Sequence, residues 1–226
     1  MKSGPGKSGF TLIEMLAVVA IIAILVGMVV GLSRRIDDQG KERLCRDTLE
    51  LIGNALEQFR DFGYEYPDNP LYQPAERQFY FGLKFPIDCN GFNQATLQAL
   101  IARVLNVPVT IAASGHLQEY SGCEAMYLFL SEVPDCRTTL DKVDKSLITD
   151  LGSNGVQMTI NVNGRIRPLT RIVDPWEKSL RYDYYTEVAL PAFPDPDTKK
   201  TFPIITSAGP DGQFDTADDI INRQPE

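Results

Sequence analysis

Residues 9–32 read GFTLIEMLAVVAIIAILVGMVVGL, and this stretch decides the architecture. From Phe10 to Leu32 it carries a single charge, Glu14. As a helix it rises on the order of 35 Å, against a hydrocarbon core of about 30 Å. A cleavable secretory signal fits less well, because its apolar region runs about 7 to 15 residues and ends at a small-residue cleavage site. Here the apolar run is longer and no polar cleavage region follows it. Ahead of it, Met1 to Gly9 is short, polar and basic, with Lys2 and Lys7. The stretch therefore predicts a membrane-spanning anchor over residues 10–32.

The helical pattern continues beyond that anchor. Leu44, Thr48, Leu49, Ile52, Ala55, Leu56 and Phe59 recur at three- and four-residue steps and form one apolar stripe. Gly63 supplies a stop signal, and the first proline after the span is Pro67. One helix is expected from about Phe10 to about Phe62, apolar all round at first and an amphipathic stalk over 33–63. Residues 64–226 then form a head. Within it, Tyr66 to Asn90 is rich in Pro and aromatics and reads as an ordered loop. Gln94 to Leu105 places Leu97, Leu100, Ile101, Val104 and Leu105 at helical spacing. Cys123 to Val133 is a second short helix, ended by Pro134, and Asp141 to Gly155 reads as loop.

The C-terminal third reads as sheet. Val156, Met158, Ile160 and Val162 alternate, and Asn163-Gly164 supplies the two positive-φ residues of a type I′ turn. Arg165 to Val173 returns as the partner strand. Leu180 to Leu190 and Phe202 to Thr206 are further strands. The expected fold class is α+β: a long N-terminal helix packed on a small antiparallel sheet, with a helical and loop insert at about 68–171.

Composition narrows the function. The chain has 226 residues, a formal net charge of −8 and a pI of about 4.8. That balance disfavours nucleic-acid binding, which needs clustered Lys and Arg, and suits a head outside the cytoplasm or one that binds cations. There is one histidine, His116, and no nucleophile turn, so the chain is not expected to be an enzyme. The cysteines Cys45, Cys89, Cys123 and Cys136 form no C-x-x-C pair. They leave two readings open, up to two disulfides in an exported protein or four buried thiols. Tyr72, Phe79, Tyr80, Phe81 and Phe85 read as packing under the insert in preference to a ligand-binding row of rings.

Gly9-Phe10-Thr11-Leu12-Ile13-Glu14-Met15, with Lys7 ahead, resembles the prepilin peptidase site of type IV pilins and type II secretion pseudopilins. The resemblance implies cleavage after Gly9, N-methylation of Phe10 and a leader, residues 1–9, that faces the cytoplasm. Lys and Arg counts alone place the other end inside, because Arg34, Arg35, Lys41, Arg43 and Arg46 follow the span. The leader resemblance decides against that count. Glu14 also has a physical role, since a carboxylate at the bilayer centre costs about 2.5 to 3.5 kcal/mol and less near the edge. The amino terminus that cleavage creates at Phe10 of a neighbouring subunit is its natural partner.

Ser207 to Ile220 crowds Asp211, Asp215, Asp218 and Asp219 into a turn-rich segment. Calcium takes 6 to 8 oxygens from such groups, and the spacing is not that of an EF-hand. The segment resembles the C-terminal calcium loop of the major, G-type pseudopilin. That resemblance implies Asp211 and Asp218 as side-chain ligands to Ca2+ and Ala208 and Gln213 as carbonyl donors, with Asp215 and Asp219 able to take a place. Asp174-Pro175-Trp176-Glu177, followed by Leu180-Arg181-Tyr182-Asp183-Tyr184, resembles the family's D-P-W-G-x-x-Y-x-Y segment, with Glu177 where the family has Gly and the Tyr spacing shifted. Trp176 reads as a core anchor. Tyr64-Glu65-Tyr66-Pro67 resembles its Y-P turn.

The resemblance covers Lys7 to Pro67 and Ile172 to Asn222, and omits Asp68 to Arg171. It implies a subunit of a type II secretion-like pseudopilus. Such a subunit sits in the bacterial inner membrane as a single pass with its head in the periplasm. Its implied partners are copies of itself, prepilin peptidase, an assembly platform and minor pseudopilins. The alternatives are a type IV pilus subunit for adhesion, motility or DNA uptake, and a membrane-tethered cargo- or glycan-binding domain.

Overall fold

The computed structural model describes residues 12–65, 85–86, 88–105, 107–112, 114–184 and 202–222, with backbone alone for 28–36 and 63–65. The leader 1–9, Phe10, the aromatics at 72 and 79–81, and the end of the strand expected up to Leu190 lie outside these residues. Helix α1 runs Leu12–Glu65, 54 residues, ending slightly beyond the expected Phe62. The chain divides into two units, Met1–Lys41 and Glu42–Glu226.

In the first unit the side chains of residues 12–27 are exposed. Among the described residues no helix is long and apolar enough to cross a membrane. The span expected over 10–32 lies partly outside them. Its described side chains stop at Gly27, short of the roughly 20 residues that a crossing helix needs.

In the second unit the expected stripe is the buried face of α1: Thr48, Leu49, Ile52, Ala55, Leu56 and Phe59, joined by Cys45 and Phe62. The face opposite stays charged and is braced along the helix, as Arg46 meets Glu42 one turn away at 2.7 Å. Helix α2, Gln94–Leu105, falls on the expected residues. Asn93 starts it by accepting the Thr96 N–H at 3.0 Å. Its Gln side chains then serve the next element, β1 (Val109–Ala112). Gln94 donates to the Ile111 carbonyl and Gln98 accepts the Ile111 N–H, at 2.8 and 2.9 Å. Thus β1 lies at a sheet edge, and α2 pairs part of its backbone.

Helix α3, Ser121–Glu132, follows a 3-10 turn at Gln118–Tyr120. Pro134 ends α3 as expected, but it also opens a helix that the sequence reading missed, α4 (Pro134–Leu140). The cause is ordinary proline chemistry. Val133 is extended before the ring, while the first helical position needs no N–H donor. The loop expected at 141–155 contains a second 3-10 turn, Lys145–Leu147, and a short strand β2, Ile148–Thr149.

The single small sheet expected is in fact three antiparallel sheets. The first is β1 with β3 (Thr159–Val162) and β4 (Arg165–Pro168). Ile111 faces Ile160 across one pair, and Val162 faces Arg165 across the other. The β3–β4 turn is Asn163-Gly164, with φ of 50° and 85°, as the sequence predicts. The partner strand expected over 165–173 breaks at Pro168, which has no N–H to continue a ladder. Its remainder, β5 (Arg171–Ile172), pairs with β2. The third sheet is β6 (Arg181–Asp183), β7 (Ile204–Ser207) and β8 (Ile220–Ile221).

The insert is not an appendage. Leu97, Ile101, Met126, Phe129 and Leu130 are fully buried in the same core as Ile52, Leu56 and Phe59 of α1 and Tyr182 and Ile205 of the third sheet. Emptying its centre is costly. Phe129→Ala is expected to lower unfolding stability by about 3 to 5 kcal/mol, read from the denaturant midpoint of the purified protein.

Candidate functional site

The acidic loop connects β7 to β8, and it is held at its root by Asp174. That residue is 2 % exposed. One carboxylate oxygen accepts the Trp176 and Lys178 N–H groups at 3.0 and 2.9 Å. The other accepts the Ser207 hydroxyl at 2.7 Å. Ser207 in turn accepts the Gly209 N–H at 3.1 Å, and the Cys45 thiol of α1 hydrogen-bonds to it. Burial pushes the Asp174 carboxyl up, while Ser207 and the two N–H groups pull it back.

The turn that Asp174 closes explains one departure from the family pattern. Glu177 sits at φ 68°, the left-handed region that glycine enters without strain. The family glycine at that place is thus a backbone requirement, which this chain meets with a strained glutamate. Trp176 is partly buried against the core, as expected.

Gly209 then turns the loop. Its φ is 64°, and a Cβ there would run into the backbone carbonyl of Asp218. The two limbs of the loop are therefore in contact. The Asp211 N–H donates to Asp218 Oδ2 at 3.1 Å, and the Thr216 hydroxyl donates to Asp218 Oδ1 at 2.7 Å. These donors, Thr216 first, hold the Asp218 carboxyl below its ordinary range. Asp211 Oδ1 accepts the Gln213 N–H at 2.8 Å. The Gln213 carbonyl already accepts the Thr216 hydroxyl at 3.1 Å, and Ala208 is buried at the root of the loop.

Asp215 and Asp219 behave differently from each other. Arg181 of β6 forks onto both oxygens of Asp215, at 3.1 and 2.8 Å, and lowers its carboxyl. That guanidinium also lies 4.7 Å from the Phe214 ring centre and bonds Asp183 at 3.1 Å. Asp215 is thus committed to a cation that the protein supplies. Asp219 Oδ2 accepts the Asp215 N–H at 2.8 Å, whereas its Oδ1 is buried with no hydrogen-bond partner among the described residues.

The structure thus brings Asp211 and Asp218 together, sets Asp219 beside Asp218 and draws Asp215 away. Among the described residues no three His, Cys, Asp or Glu side chains converge as a metal site. The donor chemistry, carboxylates and carbonyls on a tight turn with one unsatisfied buried oxygen, suits a hard oxygen-seeking cation. Spacing on the page could have suggested Thr216 as a hydroxyl two residues before Asp218. Nothing local could have suggested Arg181, which lies 34 residues from its partner.

The cysteines take the thiol reading. All four are free and buried. Each is occupied on its own wall of the core: the Cys123 thiol donates to the Ile172 carbonyl at 3.4 Å and the Cys136 thiol to the Ala55 carbonyl at 3.2 Å. Burial pushes Cys45 up to about 11, and Cys123 and Cys136 up to about 12. His116 is buried too, its Nε2 3.0 Å from Glu124 Oε2, with side-chain exposures of 3 % and 0 %. Its ring meets Tyr120 edge-on, and Arg171 stacks 3.7 Å over the centre of that ring. Sequence reading did not find this buried charged group.

Behind Arg181 lies a second carboxylate group. Asp183 accepts the Asn90 amide at 2.8 Å, and Asp88 accepts the Asn90 and Tyr184 N–H groups at 2.9 and 3.1 Å. Burial raises Asp88 from 3.8 to about 6, and Asp183 nearby adds to that. A carboxyl whose folded-state pKa lies above its unfolded value stabilises the fold fully below 3.8, and that contribution is lost as pH rises to about 6. Denaturant titrations across that window are expected to show wild-type stability falling relative to Asp88→Asn, with parallel curves above it.

Comparison with known proteins adds the following. Residues 5–30 match the family model described as the prokaryotic N-terminal methylation motif. Over 61 residues the chain is 36% identical to the type II secretion system core protein G of Pseudomonas aeruginosa, covering 27% of this chain and 43% of that protein. The chain thus spans less than half the length of the curated relative it matches. No solved structure matches it.

Proposed function

Starting from a type IV pilin-like N-terminus, which the methylation motif and the relative share, we propose that this chain is a structural subunit of a type II secretion-like pseudopilus. The observation that carries the reading is the coincidence of two signals at opposite ends: the motif over 5–30 and an acidic loop of constrained geometry after β7. In this reading a prepilin peptidase cuts after Gly9, Phe10 is N-methylated, and the apolar start of α1 anchors the subunit in the inner membrane. The head stands in the periplasm, and growth of a filament on an assembly platform, with minor pseudopilins, pushes protein across the outer membrane. The chain's work is mechanical and catalyses nothing.

Glu14 lies in the first turn of α1. Within the filament its carboxylate offsets the charged terminus of a neighbouring Phe10, so that two costly charges neutralise each other in a dry environment. Glu14→Ala is therefore expected to be inserted and cleaved normally but to give a filament yield reduced by roughly tenfold or more, the ratio about 1.4 kcal/mol produces. The yield is measured as sheared filament against total cleaved subunit. Filaments at wild-type yield would remove the assembly role.

The loop is proposed to hold calcium through Asp211 and Asp218, with Asp219 Oδ1 aimed at it and carbonyls from Ala208 and Gln213 completing the oxygens. Bound there, the ion would offset the mutual repulsion of the loop's carboxylates and tie its two limbs. Asp215 stays with Arg181 and takes no part. Calcium at a hundredfold excess over its dissociation constant adds about 2.7 kcal/mol to a protein that binds it only when folded. Thermal unfolding is expected to shift upward with calcium in wild type and to stay put in Asp218→Asn. An unshifted wild type would remove the ion from the loop.

A further inference from the structure

Two features of the Glu42–Glu226 unit are complementary, and neither is used by the acidic loop. The first is a cleft of about 320 Å³ beside α1, formed with β8. Its floor is apolar, from Leu49 and Ile221, and its rim carries Arg46, Glu50 and Asn54. Gly53 lies along it, and a Cβ added there would meet nothing within 4 Å. Arg46 is already engaged by Glu42. Glu50 is exposed and makes no ion pair among the described residues, and Asp47 beside it is likewise unpaired. The open charge at the cleft is therefore negative.

The second feature is the β3–β4 hairpin. Ile166 is 72 % exposed, more than any other large apolar side chain described in this unit. It lies on β4, the outer strand of its sheet, two residues past the turn at Asn163-Gly164. Beside it Arg165 is exposed and unpaired among the described residues, whereas Arg167 is spent on Glu132. The hairpin thus presents a convex tip with one branched aliphatic side chain and one free cation.

We infer that the β3–β4 hairpin of one copy of this chain docks into the cleft beside α1 of the next, with Ile166 over Leu49 and Ile221 and Arg165 against Glu50 and Asp47. Shape, charge and apolar content match in each pair. A knob and a hole on different parts of one molecule make a heterologous contact, which leaves a free knob and a free hole at the ends and propagates into an open polymer. The occupant is therefore a second copy, and the inference rests on the filament reading above. It adds a head-to-head contact that residues of the insert supply.

The test uses the full chain with its processing enzyme and assembly machinery. Buried thiols of raised pKa are poor nucleophiles, so the four native cysteines give a low background. The double variant Gly53→Cys with Ile166→Cys is expected to form a ladder of disulfide-linked dimers, trimers and longer species under mild oxidation. The two single variants expressed together should stop at dimers, and either alone should form none. In a second arm, Glu50→Arg is expected to lower filament yield roughly tenfold, the ratio that about 1.4 kcal/mol produces, and adding Arg165→Glu should restore it to within about twofold. Wild-type filaments with no ladder from the double variant would overturn the contact and leave the filament reading standing. A dimer from Ile166→Cys alone would overturn it in favour of a symmetric pairing. A wild-type chain that is cleaved but never polymerises would instead overturn the filament reading, and this contact with it.

Discussion

A single buried carboxylate organises the part of this molecule that carries its chemistry. Asp174 accepts two backbone N–H groups of its own turn and the hydroxyl of Ser207, which lies at the end of β7. Through Ser207 it reaches the first residues of the acidic loop and the Cys45 thiol of α1. Three chain segments far apart in sequence thus meet at one side chain. Removing a partner from such a group leaves the remainder unsatisfied in the core, which costs more than the bond itself. The strain at Glu177 persists because this closed turn over-determines the backbone around it. The loop beyond inherits its position from the same place, and its internal bonds to Asp218 refine that position without setting it.

The rest of the head is arranged so that the insert and the family-like elements share one interior. Helix α3 is buried along much of its length, and its neighbours come from α1, from the insert and from the sheets at the C-terminal end. The insert therefore replaces whatever a shorter head would use to cover α1. It also brings its own polar accounting. The side chains of α2 satisfy the edge of β1, and the His116–Glu124 pair sits at its centre. A buried charge pair is weak evidence of net stability, but it limits the ways in which α3 can pack, since a shift would leave the Glu124 carboxylate alone in the core.

Sequence periodicity made α1, α2 and α3 legible because their burial follows one face of a 3.6-residue repeat. Asn163-Gly164 made the β3–β4 turn legible because few other dipeptides accept two positive φ values. What sequence hid were the non-local pairings. Strand β1 is four residues with no strong pattern, and only β3, far along the chain, makes it a strand. Pro134 looked like an end and was also a beginning. The candidate loop was visible from its aspartates, yet their division of labour was not. Asp215 and Asp219 look equivalent in sequence, and it is Arg181, fixed on another strand, that separates them.

The four sequestered thiols have a consequence for where this chain can fold. A head that depended on disulfides would be incomplete until it met an oxidising environment and an isomerase. Here the covalent state is the same on either side of a membrane, and the raised thiol pKa values slow both oxidation and exchange. The head's stability is thus indifferent to the redox potential around it, and an ensemble of mispaired isomers is closed to it.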